Sequence, residues 1–112
     1  MALNVAKAEW IGFLDNLSRA LTGKHAEIEI ASLDLGDQTQ AAWLPLLGID
    51  YDPKDDLIEI ALEGLDHLIR SPVQLTVEGT GPLVSCIEIV DGNGVHQLVR
   101  LRDPLMLQPP EH

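Results

Sequence analysis

The sequence predicts a mainly β, α+β fold: one N-terminal helix packed on a strongly bent antiparallel sheet, or on a small barrel, of about six strands. Three observations lead there. Apolar residues before position 22 recur at helical spacing, and those from position 26 onward recur at every second position. Gly, Pro, Asn and Asp cut the alternating stretches at short intervals. The chain has 112 residues, enough for one domain over 1–112 and too few for a second core.

The helix is expected over residues 5–22. Trp10, Leu14, Leu17 and Leu21 form one apolar stripe with Phe13 beside it. Asn4 stands where a cap belongs and Gly23 where a left-handed stop belongs. Lys7, Asp15, Asn16 and Arg19 fall off the stripe and are expected to face water.

Antiparallel strands are expected over 25–102. Ala26, Ile28 and Ile30 alternate with Glu27 and Glu29 in the first, and Asp34-Leu35-Gly36-Asp37 reads as a turn. A second strand begins at Gln38, and Pro45 with Gly48 bends it round a corner before Ile49 and Tyr51. Asp52-Pro53-Lys54-Asp55 is a tight turn, since proline pre-sets the backbone of its second position. Ile58, Ile60 and Leu62 point inward on the next strand. A connection through Gly64 and Asp66 then leads to Val73, Leu75 and Val77. Gly79–Pro82 turns the chain, and Leu83–Val90 pairs with Val95–Arg102 through Asp91-Gly92-Asn93-Gly94. The tail over 103–112 is apolar at Leu105-Met106-Leu107 and stiff at Pro109-Pro110. It is expected to dock on the body or on a second subunit.

Composition narrows the function. Eighteen acids against 7 Lys and Arg give a formal charge of -11, which repels phosphate backbones and anionic membranes. Aromatic residues make up 4%, too few for a base-stacking platform. No apolar run of about 18 residues exists to span a bilayer, and the first ten residues lack a signal-peptide core. Cys86 is the only cysteine, so no internal disulfide forms, and a cytoplasmic location is expected. Within Leu83–Val90 it is expected to pack as a small hydrophobe.

Motifs that carry chemistry are scarce. Gly79-Thr80-Gly81 precedes no helix and cradles no phosphate. His25, His96 and His112 lack partners at metal-site spacing. Arg100 and Arg102 are expected to pair with acids such as Glu88 across the last hairpin. Trp43 is expected in the core. The richest segment runs from Asp50 to Asp66, where Asp50, Asp52, Asp55, Asp56, Glu59, Glu63 and Asp66 face only Lys54. Asp52, Asp55 and Asp56 on one turn are candidate ligands for a hard cation, with His67 near them if the strands close into a barrel. The bland reading is a solvated rim of turn-favouring aspartates.

Two resemblances follow from these residues. The run from Leu47-Gly48-Ile49-Asp50-Tyr51-Asp52-Pro53-Lys54-Asp55-Asp56 through Asp66-His67-Leu68-Ile69 and Ser71-Pro72 resembles a family of small uncharacterised bacterial proteins, a domain of unknown function. That likeness covers most of the chain and implies no activity. Over residues 5–78 the order of one helix and five bent strands also resembles Sm-like proteins. Asp52 and Asp56 fall near the positions of that family's first motif, and Ile69-Arg70-Ser71 is similar to its second. The resemblance implies a small barrel, ring assembly and uridine binding, with Asp52, Asp56, His67 and Arg70 as candidate ligand-binding residues. Asp56 in place of an amide, Ser71-Pro72 in place of glycine and the acidic rim depart from that pattern.

The expected function is therefore a non-enzymatic acidic binding or assembly module, with no catalytic residue and no cofactor assigned. Its partners are expected to be further copies of itself or another protein, with nucleic acid and membrane disfavoured. The alternatives are an Sm-like RNA-binding protein and a metal-dependent hydrolase at the Asp52/Asp55/Asp56 turn.

Overall fold

The computed structural model describes residues 2–32 and 36–104. Eight antiparallel strands form one continuous sheet in the order β1–β6–β7–β8–β2–β3–β4–β5. In chain order these are β1 (Ala2–Asn4), β2 (His25–Ser32), β3 (Gly36–Asp52), β4 (Leu57–Leu62), β5 (Leu65–Arg70), β6 (Pro72–Glu78), β7 (Cys86–Asp91) and β8 (His96–Arg102). A 3₁₀ turn at Lys7–Glu9 leads into α1, Trp10–Leu21, and a second 3₁₀ turn spans Gly81–Leu83. The sheet stays open, with β1 and β5 at its two ends. The bent sheet is thus what forms, and the small-barrel alternative is corrected: no ladder joins the end strands. Among the described residues no helix is long and apolar enough to cross a membrane.

The expected stripe is the buried one. Trp10, Leu14, Leu17 and Leu21 of α1 are all buried, and Phe13 packs beside them. They meet the inward residues of both sheet halves, among them Ile28, Ile49, Ile60, Leu75, Ile87 and Val99. The helix starts later than expected because residues 2–4 pair with β6, Asn4 opposite Thr76, Val5 continues that pairing and Lys7–Glu9 form a 3₁₀ turn. Asn4 therefore caps nothing. The N–H of Val5 donates to Leu75 O at 2.9 Å, and the indole N–H of Trp10 donates to Val5 O at 2.9 Å.

The long strand β3 bends the sheet. Its first half pairs with β2 and its second half with β4. A bulge lies between the pairs Ile28–Ala41 and Ala26–Leu44, and there Trp43 takes a φ of 55°. Trp43 is only half-buried, and its ring lies under the Arg102 guanidinium at 3.8 Å on the outer face. The core position expected for it is corrected. At the corner, Leu46 N–H donates to Lys24 O at 2.8 Å and Glu63 N–H donates to Pro45 O at 2.9 Å. Gly48 passes close to α1: a Cβ there would lie 3.1 Å from Ser18 Oγ, the atom that accepts the Ile49 N–H at 3.0 Å. Helix and corner are fixed together by that contact.

The turn at Asp34-Leu35 and the apolar tail beyond Pro104 lie outside the described residues.

Candidate functional site

Local turn chemistry builds a polar cluster that joins distant parts of the chain. After β3, Asp52 Oδ1 accepts the N–H of Lys54 at 2.9 Å and of Asp55 at 3.4 Å, the aspartate turn that Asp-Pro-Lys-Asp implies. The chain then enters the left-handed region at Asp56, with φ of 50°. Its carbonyl accepts the Ser71 N–H at 2.9 Å. Ser71, itself at φ 53°, offers its carbonyl to the Gly92 N–H at 2.9 Å. Three turns that are far apart in sequence are thereby stitched in series.

Lys7 reaches this seam from the segment before α1. Its ammonium lies 3.0 Å from Asp56 Oδ1 and donates to Pro72 O at 3.1 Å. The Tyr51 hydroxyl donates to the same Asp56 oxygen at 2.7 Å. Beneath them Trp10 and Tyr51 meet edge to face with centroids 5.1 Å apart, and the Lys7 ammonium stands 5.4 Å from the Trp10 ring. Hydrogen bonds from Tyr51 and then Lys7 hold the Asp56 carboxyl below its ordinary value of 3.8. The bond to Asp56 raises Lys7 above 10.5, and the Tyr51 phenol above 10.0. Each shift moves the titration further from pH 7, so the cluster holds an ammonium, a carboxylate and a neutral phenol that satisfy one another. It is a clasp.

The sign of its pH dependence follows. A depressed carboxyl contributes stability above its unfolded value, near 3.8, and loses it as pH falls through the lower folded value. The raised Lys7 and Tyr51 contribute below 10.5 and 10.0 and lose that contribution as pH rises through their folded values. Asp56→Asn is therefore expected to melt below wild type at neutral pH, with the gap shrinking toward both extremes. Thermal melts across pH read this directly, and a gap constant from acid to alkali would contradict the clasp.

The four candidate binding residues do not converge. His67 points inward from β5 and its Nε2 meets Oε1 of Gln97, a buried glutamine on β8. Arg70 lies exposed on the outer face, in one row with Leu57 and Asp52. Asp56 is occupied by Lys7 and Tyr51, and Asp52 by its own turn. Among the described residues no group of three or more His, Cys, Asp or Glu side chains is placed to hold a metal ion. In the Asp52/Asp55/Asp56 turn, Asp52 Oδ1 accepts the N–H groups of its own turn and Asp56 Oδ1 is held by Tyr51 and Lys7. The acidic segment instead lines an outer face, where Asp50 stands opposite Glu59 and Arg70 is the only Arg or Lys on the three strands. Such a face opposes phosphate, and the open sheet lacks the barrel that the Sm-like resemblance implies.

Other polar expectations sort by strand order. Arg100 binds Glu29 at 2.6 Å and Glu27 at 3.5 Å rather than Glu88, because β8 has β2 on its other side. Glu88 instead meets His96 Nδ1 at 2.8 Å. Cys86 is half-buried opposite Arg100. Burial pushes its thiol up, and nearby Arg100 only partly offsets this, so the thiolate is disfavoured at neutral pH. Sequence reasoning missed Lys7 and Tyr51 as members of a cluster, since neither position carries a linear motif.

One concavity lies elsewhere, between α1, β1 and the Gly79–Val84 turn. It encloses about 280 Å³, near the lower end for small-molecule sites, and Leu3, Phe13, Leu17 and Val84 line it with Asn16 and Thr80 as the polar side chains.

The comparisons carry the same message as the geometry. A family model described as "Family of unknown function (DUF5335)" matches residues 1–110. The chain is similar to an "Uncharacterized protein" of Aquifex aeolicus (strain VF5), 36% identical over 104 residues that cover 92% of this chain and 94% of that one. No solved structure matches.

Proposed function

The chain belongs to the family of unknown function DUF5335, and we propose for it a role as a cytoplasmic binding or assembly module that works by association with further copies of itself. The expectation of a family without an assigned activity, drawn from the Leu47–Pro72 segment, is borne out. One observation carries the proposal: β5 ends the sheet with six residues whose outer backbone groups have no backbone partner among the described residues. Strand ends of this kind are templates for pairing, and soluble proteins ordinarily blunt them with lysine, proline or a bulge. Leu65-Asp66-His67-Leu68-Ile69-Arg70 contains neither lysine nor proline, its ladder with β4 is regular, and Leu65 and Leu68 are exposed. Backbone hydrogen bonds supply affinity in such pairing and the flanking side chains supply selectivity. Light scattering over a wide concentration range tests the reading. Reversible growth beyond the monomer mass is the expected result, and a strict monomer at the highest concentration overturns it.

A further inference from the structure

We infer that β5 pairs antiparallel with β5 of a second copy about a twofold axis through Leu68, which joins two open sheets into one. The inference rests on the association proposed above and adds its surface, partner and register. It starts from which side chains share a face. In the ladder with β4, Asp66, Leu68 and Arg70 stand opposite Ala61, Glu59 and Leu57, and all three are exposed on the outer side, whereas His67 and Ile69 turn inward. Opposed residues in an antiparallel pair lie on the same face, so a slip of one residue would set outward side chains against inward ones. Only registers that pair outward with outward remain.

Charge selects among those. With Leu68 opposite its own copy, Asp66 of each chain lies opposite Arg70 of the other, so two complementary pairs form at once. Shifting the pairing by two residues sets Asp66 or Arg70 opposite Leu68 and loses both. A parallel in-register pairing sets like charge beside like. Within its own chain neither the Asp66 nor the Arg70 side chain has an ion-pair or hydrogen-bond partner among the described residues. Arg70 is also the only Arg or Lys in β3, β4 and β5, whose outer side otherwise bears Asp50, Asp52, Glu59 and Asp66. These three strands therefore hold their one Arg at the free edge, where another copy's acid can reach it. Leu68, 43% exposed in the monomer, gains an apolar neighbour on the axis.

Charge reversal tests the register. Asp66→Arg alone sets Arg against Arg, and Arg70→Asp alone sets Asp against Asp. Each purified variant is expected to weaken self-association by about tenfold or more, because like charges directly opposed are disfavoured. An equimolar mixture of the two variants restores complementary pairs in the heterodimer, so association returns on mixing. Sedimentation equilibrium reads all three samples, and circular dichroism of each variant confirms that these exposed substitutions leave the fold intact. If wild type associates but the variants associate equally well, this register is overturned while the association reading stands. If wild type stays monomeric, both fall. Failure of the mixture to recover also overturns the register.

Discussion

Trp10→Ala is expected to lower the unfolding free energy by about 3–5 kcal/mol, the usual range for deleting a buried aromatic side chain. Trp10 is 1% exposed and lies at the junction of four features. It anchors the apolar stripe of α1, donates its indole N–H to Val5 O at 2.9 Å, meets Tyr51 edge to face, and underlies the Lys7 ammonium. Its removal opens a cavity under the clasp and leaves Val5 O without that donor. The segment that carries β1 onto β6 would then loosen with it. Since a domain of this size has on the order of 5–15 kcal/mol in total, the variant should sit near the edge of folding. Urea denaturation measures the loss. Trp10→Phe separates the causes: it retains most ring packing and should lose about 1–2 kcal/mol, mainly for the missing donor. A Trp10→Ala loss below about 1 kcal/mol would show that the helix does not depend on this anchor.

Gly79→Ala is expected to cost roughly 2–4 kcal/mol, although it adds only a methyl group. Gly79 has a φ of 94°, and a Cβ there would lie 2.6 Å from Leu83 O and 3.0 Å from Val84 Cα. Both are backbone atoms and cannot swing aside. The turn that carries them is closed by Leu83 N–H to Thr80 O at 2.9 Å and Ser85 N–H to Glu78 O at 3.0 Å. Gly23→Ala is the matched control. Its φ is also 94°, but nothing lies within 4 Å of the added Cβ, so only the conformational cost of about 1–2 kcal/mol should appear. Equal melting temperatures for the two variants would contradict the steric account.

Periodicity was legible wherever burial is local in sequence. The stripe of α1 and the inward positions Ile28, Ile58, Ile60, Leu62, Leu75 and Val77 follow from spacing alone, because one face of each element meets the core. The corner at Pro45 and Gly48 was legible too, since those residues weaken a straight ladder. Two strands were not. β1 is only three exposed residues long, held by β6 more than seventy positions away. β5 hides its period, because Leu65 and Leu68 are exposed and His67 turns inward. Without those two edge strands, one helix and six bent strands fit a closed barrel as well as an open sheet. The clasp was illegible for a different reason: Lys7, Tyr51 and Asp56 meet only after β1 docks on β6 and β3 turns into β4.

The position of β2 in the middle of the sheet bears on how the chain acquires its fold. β2 is flanked by β3, its neighbour in sequence, and by β8, with His25 opposite Arg102. A nascent chain can form the β2–β3–β4–β5 meander early, yet the other side of β2 stays uncovered until the last hairpin has been synthesised. Contacts of such high order slow folding, because loop closure is costly before any distant pairing rewards it. Its outward Glu27 and Glu29, later neutralised by Arg100, give the waiting strand a negative charge that discourages premature pairing with other chains.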